Sequence, residues 1–267
     1  MRELKYVCFT DTNIIDILLM RKLKYVYLTI TDIIRLYHTK DVPDAILENK
    51  HLLKLIYKTM NNQQYEVFRT PQWVIDLLID SDYFYDIIRN NYHCGVASCN
   101  ILDPSAGDNR IIKSIENYIK KENDKQLFLV EKYAIDVLPN INLTPEFNGV
   151  DYDIAHEKLK ATNTKFDLVI TNPPFTKAEP WIKKMHEVIT DGGYCIFLQR
   201  LNWLGTKKRS EYLKNNKDLR LKHLLVISKR PTWEIDGVEK NKTDTCEYAW
   251  FVFQKGFDGM YNGDWLI

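Results

Sequence analysis

One stretch of the sequence, Phe166 to Phe175 (FDLVITNPPF), brings together the residues best suited to chemistry. Its apolar, β-branched run predicts a buried strand, and the two prolines must end that strand because proline offers no N–H to a sheet. The strand therefore ends in an amide, a rigid carbonyl and an aromatic ring, and the ends of strands in open α/β sheets are where ligands bind. The Asn172 oxygen and the Pro173 carbonyl can accept the hydrogens of an amino group, while Phe175 can stack on the ring that carries it.

This set of groups suits an exocyclic amine of a nucleobase, whose lone pair is delocalised into the ring. Acceptors for both amino hydrogens make that nitrogen more nucleophilic, and no ionised base is required. The run Asn172-Pro173-Pro174-Phe175 resembles the N-P-P-F signature of the S-adenosylmethionine (SAM)-dependent adenine-N6 methyltransferases. The resemblance implies that these four residues are catalytic and that Phe175 also contacts the target base. The structural alternative is a Pro-Pro turn with Phe175 in the core.

A second candidate site follows the strand predicted over Val96 to Leu102. A turn of small residues there precedes a helix that begins near Asn109, so a ligand can approach the backbone closely. The turn resembles the family's D-P-x-A/C-G-x-G loop, with Asn109 where a second glycine is usual, and asparagine tolerates positive φ better than most residues. Asp103 can hold the cationic amino group of SAM. The other cofactor contacts implied in this turn are Pro104, Ser105 and Gly107.

Upstream of that turn, Phe68, Thr70 and Pro71 match the family's F-x-T-P element. Thr70 is the expected cap of the following helix, and Pro71 suits its first turn. The resemblance implies that this element lies on the rim of the cofactor pocket and contacts the methionine end of SAM.

Two acids complete the predicted cofactor site. The strand predicted over Gln126 to Val130 ends at Glu131, and an acid at that point accepts the ribose hydroxyls of a nucleotide-like ligand. A third strand, Phe147 to Val150, is followed by Asp151. The resemblance implies an acid there that accepts from the adenine amine of the cofactor, with Asp153 as the competing choice.

The substrate side is predicted from basic and aromatic residues after the last parallel strands. Lys207 and Lys208 belong to a basic cluster after the strand Tyr194 to Gln199, where they can contact phosphates. A solvated helix start would explain the same cluster. Arg230 and Trp233 stand where family members carry an element that lines the target-base pocket, with Trp233 as a stacking residue.

The fold implied is a Rossmann-like α/β domain over residues 63–267, with a seven-stranded, mostly parallel sheet whose last strand, Glu247 to Gln254, runs antiparallel to the strand before it. Residues 1–62 are predicted as a mainly helical extension, beginning with a helix over Ile14 to Met20. The segment Leu23 to Leu28 suits a strand equally well. The extension is either a cap on the main domain or a module that binds the target or a partner.

The composition indicates which partners and which cellular compartment to expect for this domain. A net charge of +1 gives no global attraction to nucleic acid, so any such surface must be a local patch. The five cysteines form no C-x-x-C pair, which favours a reducing compartment and gives no metal site. With no signal peptide and no long apolar run, we expect an intracellular, soluble protein without a membrane partner.

The order of the three motifs resembles that of the gamma group of DNA adenine-N6 methyltransferases, which implies SAM as cofactor and DNA as partner. About 90 residues remain after Phe175. Specificity must then come from short loops, from the extension, or from a recognition or partner subunit. RNA stays an alternative substrate. Protein glutamine methylation is less favoured because of the F-x-T-P element and Phe175. A non-catalytic nucleic-acid-binding subunit is also less favoured, because all motifs are intact.

Overall fold

The computed structural model describes residues 19–21, 24–26, 68–90, 92–93, 96–121, 127–136, 142–235, 238–239 and 243–267. The chain divides into two compact units, Met1–Tyr65 and Glu66–Ile267. In the first unit, β1 (Leu19–Arg21) and β2 (Lys24–Val26) pair as an antiparallel hairpin. The strand predicted as an alternative over Leu23 to Leu28 is therefore confirmed at β2. The helix predicted over Ile14 to Met20 is wrong at its last two residues, which belong to β1. The other helices predicted for the extension lie outside the described residues.

The second unit is built on one sheet. Its strands are β3 (Tyr92–His93), β4 (Val96–Asp103), β5 (Leu127–Ala134), β6 (Phe166–Thr171), β7 (Ile189–Arg200), β8 (Leu219–Ile227), β11 (Tyr248–Lys255) and β12 (Asn262–Leu266). Their order is β12-β8-β11-β7-β6-β4-β5, with the two-residue β3 also paired to β4. Among these strands only β11 and β3 run against their neighbours. The predicted seven-stranded, mostly parallel sheet is confirmed. The antiparallel direction predicted for the strand Glu247 to Gln254 is confirmed as well, in β11.

Six described helices cover the sheet. They are α1 (Gln72–Ile79), α2 (Asp82–Asn90), α3 (Arg110–Lys121), α4 (Tyr152–Ala161), α5 (Ala178–Val188) and α6 (Lys207–Asn215). Alternate residues of β7 belong to two buried clusters: Ile196 and Leu198 join the side that contains α1 to α3, whereas Cys195 and Phe197 join the side that contains α4 and α5. Both faces of the sheet are thus buried, which explains the apolar runs of its central strands.

One predicted strand is corrected, and the structure adds strands that were not predicted. The strand predicted after Glu146 is absent: Pro145–Phe147 is a 3₁₀ turn, and Asn148 makes a single bridge to Asp136. The seventh strand is instead β12, close to the last residue, which pairs in parallel with β8. A separate two-stranded ribbon forms from β9 (Glu234–Ile235) and β10 (Val238–Glu239). Within the described residues, no helix has both the length and the apolar character needed to cross a membrane.

Candidate active site

The amide of Asn172 has a fixed orientation directly after β6. Its Nδ2 atom donates a hydrogen bond to the Phe68 carbonyl over 3.0 Å. Its Oδ1 atom is buried and has no hydrogen-bond partner among the described residues. The next residue, Pro173, is buried, and the Pro174 carbonyl accepts the Lys177 N–H at 2.8 Å, which turns the chain toward α5. The motif therefore presents one buried acceptor at the carboxyl edge of the sheet.

An aromatic cluster supports Phe175. Its ring stacks on Phe68, with ring centroids 5.6 Å apart and an interplanar angle of 24°, and it also packs against Trp233 and Tyr248. The Arg200 guanidinium lies 4.8 Å from the centroid of the Phe175 ring. The structure thus brings the F-x-T-P element and the N-P-P-F motif into direct contact.

Trp233 does not hold the position predicted for a base-stacking residue. Its side chain is only 2% exposed, and its Nε1 atom donates to Asp244 Oδ2 at 2.9 Å. The same carboxylate oxygen accepts the hydroxyl of Tyr248 at 2.8 Å. Trp233 packs edge-on against Phe68 and Phe175, so it supports the aromatic cluster around Phe175.

Asp103 ends β4 and is completely buried. Its Oδ1 atom accepts the Ser105 N–H at 3.1 Å, while its Oδ2 atom has no partner among the described residues. Burial raises the pKa of Asp103 to about 7, against the Thr171 side chain and the Ser105 N–H, which lower it. A buried carboxyl group with an unused oxygen is suited to a cationic ligand group. Pro104, beside it, is buried.

The turn after Asp103 is tied to the end of β5. The Ala106 N–H donates to the Ile135 carbonyl at 2.9 Å, and the Gly107 N–H donates to Asp136 Oδ2 at 2.8 Å. Asp136 is buried, with 8% of its surface exposed. The acid at the end of this strand is therefore Asp136.

The prediction that this strand ends at Glu131 is wrong. β5 continues to Ala134, and Glu131 lies exposed within it. Asp136 was not predicted because the two charged residues Glu131 and Lys132 resemble a strand end. The signal that could have found it is the later apolar run that ends in an acid, Tyr133 to Asp136.

The first helix after the F-x-T-P element begins differently from the prediction. Pro71, and not Thr70, occupies its N-cap position, and no side chain caps the helix. Thr70 is 5% exposed, and its carbonyl accepts a hydrogen bond from Arg110 Nη1 at 2.9 Å. Thr70 nevertheless lies next to the turn that follows β4, because Arg110 begins the helix after that turn.

Arg110 is the centre of a charged clasp, here defined as Arg69, Asp108, Arg110 and Glu234. Its guanidinium donates to Asp108 at 2.5–3.0 Å and to Glu234 Oε2 at 3.2 Å. Arg69 reaches the other oxygen of Glu234 at 3.0 Å, and its N–H donates to the Glu234 carbonyl at 3.2 Å. Burial raises the pKa of Asp108, but the hydrogen bonds and charge of Arg110 outweigh it and hold that pKa below its ordinary value. The clasp joins three separate segments around the turn.

Asn109, the departure from the family pattern, has a φ of 66°. It therefore occupies the left-handed conformation for which glycine is preferred. Its Nδ2 atom donates to the Asn142 carbonyl at 2.8 Å. The expectation that asparagine can adopt positive φ at this position is confirmed.

Asp151 caps the amino end of α4. Its side chain accepts the Asp153 N–H at 2.8 Å, and its other oxygen lies 3.4 Å from Lys177 Nζ. Asp153 itself is exposed and pairs with Lys184 at 2.8 Å. Of the two competing acids, Asp151 is therefore the one linked to the segment that follows the N-P-P-F motif.

An open pocket of about 380 Å³ adjoins Phe175. It is lined by Phe68, Phe175, Thr176, Gln199, Arg200, Asn202, Trp203 and Arg209. Of the predicted substrate residues, Phe175 belongs to this lining, whereas Lys207, Lys208, Arg230 and Trp233 do not. Lys207 and Lys208 are exposed and pair with Glu211 and Glu179, and Arg230 pairs with Glu247.

No protein-family model matches the sequence, and no curated protein is significantly similar to it. A candidate class I S-adenosylmethionine-dependent methyltransferase from Listeria monocytogenes is similar in structure, with a TM-score of 0.50 and 13% identity, covering 81% of this chain and 72% of that one. The fold is that of class I SAM-dependent methyltransferases. At this identity the likeness shows the fold alone.

Two proteins of restriction systems are similar to this chain in structure with lower TM-scores. The type ISP restriction-modification enzyme LlaBIII, bound to DNA, has a TM-score of 0.49 and 14% identity, covering 81% of this chain and 22% of that one. The M protein of the type I restriction enzyme EcoKI has a TM-score of 0.45 and 14% identity, covering 77% of this chain and 47% of that one. The chain thus spans less than half the length of either.

Proposed function

We propose that this chain is a SAM-dependent methyltransferase that acts on the N6 amine of adenine in DNA. The orientation of the Asn172 amide is the observation that carries the proposal. Because Nδ2 is bound to the Phe68 carbonyl, the end that remains available is an acceptor, and its Oδ1 atom is buried without a partner among the described residues. An amino group offers two donors, so it is the natural complement of such a site.

The residues around Asp103 fit a SAM molecule. Asp103 Oδ2, buried and without a partner among the described residues, would receive the ammonium group, and Asp136 would accept the ribose hydroxyls. Asp151 would accept from the adenine amine. The methionine end would contact the F-x-T-P element, and the turn from Pro104 to Gly107 would approach it through the backbone. When bound, SAM supplies an electrophilic methyl group.

The chain's own contribution is positioning and hydrogen bonding. Asn172 Oδ1 and the Pro173 carbonyl accept the two amino hydrogens and so direct the nitrogen lone pair away from the ring. Phe68 stacks on the Phe175 ring and Arg200 lies over it, so Phe175 would hold the base by stacking once Arg200 moves toward a phosphate. As the N–C bond forms, the S–CH3 bond would break and leave its electron pair on sulfur, so that S-adenosylhomocysteine departs. The nitrogen would then carry the positive charge and give its extra proton to water, so no ionised base is needed.

A nucleic acid is favoured over a protein substrate by the pocket. Its volume of about 380 Å³ suits a small planar group, and Arg200 and Arg209 lie on its wall. Their guanidinium groups can meet the phosphates beside a base that has left the stack. Lys207 and Lys208 would meet phosphates farther along the strand, while Arg230 would first have to leave Glu247. A recognition or partner subunit would supply sequence specificity.

Transfer of labelled methyl groups from SAM tests the proposal. Duplex DNA, single-stranded DNA and RNA are offered in parallel, and the labelled base is identified after digestion. We expect label in N6-methyladenine of DNA and a loss of about 10²–10³-fold in Asn172→Ala, because one preorganised hydrogen bond is removed. Asn215→Ala, at the exposed end of α6, is the matched control. Label only in RNA would change the substrate, and absence of both transfer and SAM binding would overturn the proposal.

A further inference from the structure

Gln199 has a buried amide that uses only one of its ends. The side chain is 1% exposed and lines the pocket beside Phe175. Its Oε1 atom accepts the Arg200 N–H at 2.9 Å, whereas its Nε2 atom is buried and has no hydrogen-bond partner among the described residues. Buried amide groups are nearly always paired, so an unpaired donor at a pocket indicates a ligand atom that accepts from it.

The side of the pocket that contains Gln199 belongs to one face of the sheet. Gln199 follows Phe197 by two residues in β7, so the two side chains lie on the same face. Trp203 packs against Phe197 with ring centroids 5.8 Å apart, and the guanidinium carbon of Arg209 lies 5.5 Å from the centroid of the Trp203 ring. Gln199, Trp203 and Arg209, here defined as the donor wall, all line the pocket. Asn172 is not in this lining, so the donor wall meets a different group of the ligand.

Arg209 is held in place while its charge stays available. Its Nε atom donates to Thr206 Oγ1 at 2.8 Å, and its guanidinium stacks on the Trp203 ring. Neither of its Nη atoms has a hydrogen-bond or ion-pair partner among the described residues. The neighbouring acid Glu179 pairs with Lys208 instead, at 3.1 Å. The donor wall therefore offers a positive charge in a fixed orientation.

The polar groups of the pocket suit an anion. Within the part of the chain that the structure describes, no acidic side chain lines it, whereas two amides and two arginines do: Gln199, Asn202, Arg200 and Arg209. A phosphate group accepts hydrogen bonds from amides and from guanidinium groups, and it is held most strongly where one donor is charged. The donor wall supplies one donor of each kind.

We propose that the donor wall is a subsite for a phosphate of the nucleic-acid backbone. Gln199 Nε2 donates a hydrogen bond to a non-bridging phosphate oxygen, and the Arg209 guanidinium neutralises the phosphate charge. The Phe175 side of the pocket is left for the base. This inference rests on the proposed function for its choice of nucleic acid, and it makes Gln199 a residue that binds the backbone and does not read the base sequence.

The salt dependence of DNA binding tests the two residues separately. On a single strand, each phosphate neutralised by the protein contributes about 0.7 to the slope of log affinity against log salt. Arg209→Gln should therefore weaken binding and reduce the slope by about 0.7. Gln199→Met should weaken binding about tenfold and leave the slope unchanged, because a neutral amide releases no counterion. Fluorescence anisotropy with labelled single strands measures both quantities.

Two further variants make these results decisive. Lys214→Gln is the matched control for Arg209→Gln, because it removes the same charge from an exposed position of the same helix, outside the pocket lining. It should keep the wild-type slope, and an equal reduction would overturn the subsite. Gln199→Glu still accepts the Arg200 N–H, which methionine cannot do. It should bind at least as weakly as Gln199→Met, and wild-type affinity in Gln199→Glu would overturn the contact.

Base composition distinguishes a backbone contact from a base contact. Single strands of thymidine alone and of deoxyadenosine alone, both with 5′-hydroxyl ends, are compared. Gln199→Met should lose the same factor on both, because they share one backbone. A loss confined to the deoxyadenosine strand would assign the donor to the base. A loss that requires a 5′-phosphate would assign it to a terminal phosphate, and either result would overturn the backbone contact.

A binding measurement at Gln199 separates this inference from the activity. In protein labelled with ¹⁵N at glutamine side chains, the Gln199 amide signal is identified by its absence in Gln199→Met. The thymidine strand should shift that signal, whereas SAM alone should not. A shift with the strand but no methyl transfer to any DNA would retain the subsite and reject the enzyme. Methyl transfer without a shift, or a shift with SAM alone, would overturn the subsite.

Discussion

The Asn172 amide nitrogen and the Phe68 carbonyl oxygen are 3.0 Å apart, although their residues are separated by 104 positions in the chain. This hydrogen bond decides which end of the amide is available, so the F-x-T-P element contributes to the candidate site through its backbone. The relationship also distinguishes an amide from a carboxylate at this position, because a carboxylate oxygen would face the same carbonyl and be repelled by it.

Replacement of Asn172 by aspartate should make activity depend on acid. A protonated aspartate can donate to the Phe68 carbonyl and still offer its other oxygen, whereas the ionised form cannot. Repulsion from the carbonyl and burial raise the pKa of the new group. We therefore expect methyl transfer by Asn172→Asp to rise as pH falls, measured as kcat/KM across the pH range. Asn172→Ala should show no such rise, and parallel profiles for the two variants would contradict the hydrogen-bond assignment.

Asp103 should make both stability and SAM affinity depend on pH. Its pKa is raised from 3.8 to about 7, chiefly by burial. Between these values the folded state holds a proton that the unfolded chain has released, so stability of the unliganded protein falls as pH rises through the window, by at most about 1.4 kcal/mol per pH unit.

The cationic amino group of SAM favours ionised Asp103, so affinity should rise about fivefold between about pH 6 and about pH 7, as the ionised fraction rises from about one tenth to about one half. Calorimetric titration measures the affinity, and thermal unfolding measures the stability. In Asp103→Asn both slopes should disappear, with weak SAM binding throughout. An unchanged pH dependence in this variant would show that another group is responsible.

Asp136 and Glu131 can be compared directly as ribose-binding acids. Asp136 is buried at the end of β5 beside the Gly107 N–H, whereas Glu131 is exposed within the strand. Asp136→Asn should lower SAM affinity by about 10-fold or more, because hydrogen bonds to a charged acceptor are lost. Glu131→Gln should have the smaller effect. The opposite ranking in equilibrium binding would restore the sequence-based assignment to Glu131.

Asn109 should tolerate glycine and resist alanine. Its φ of 66° costs an L-residue with a Cβ about 1–2 kcal/mol, and alanine also loses the bond to the Asn142 carbonyl. Asn109→Gly should unfold at nearly the wild-type temperature. Asn163, with a φ of 51°, is the matched control: Asn163→Ala should lose similar stability. Only the Asn109 variants should change SAM affinity.

The clasp around Arg110 should contribute to both stability and cofactor binding. Arg110→Lys keeps the charge but cannot reach Thr70, Asp108 and Glu234 together, so we expect a loss of about 2 kcal/mol in unfolding free energy. Denaturant unfolding measures this loss. Lys120→Ala, on the exposed side of the same helix, should stay near the wild type. A similar loss in both variants would indicate a general effect on α3.

The central features of the site were predictable because their signals are local. Two prolines end β6 whatever surrounds them, and the small residues from Pro104 to Gly107 suit a close backbone approach. Glu131 was assigned wrongly because charged residues inside a strand resemble an end. Among the described strands β5 pairs only with β4, so it can carry exposed charge.

The remaining differences depend on tertiary contacts that a single sequence does not reveal. Trp233 is buried because Asp244, eleven residues later, accepts its indole N–H. The tail strand β12 lacks an alternating apolar pattern and forms through its backbone pairing with β8. Gln199 carries no motif at all, and only the geometry of its amide distinguishes it from any polar residue at a strand end.

The pairing of Arg69 with Glu234 has a consequence for synthesis on the ribosome. Arg69 leaves the exit tunnel long before Glu234, and Phe68 also needs Asn172 to complete its contacts. A nascent chain can therefore bury the early strands but cannot complete the candidate site until Glu234 has emerged. Under the proposed function, a translation product that stops before Glu234 would lack these contacts and should bind SAM poorly.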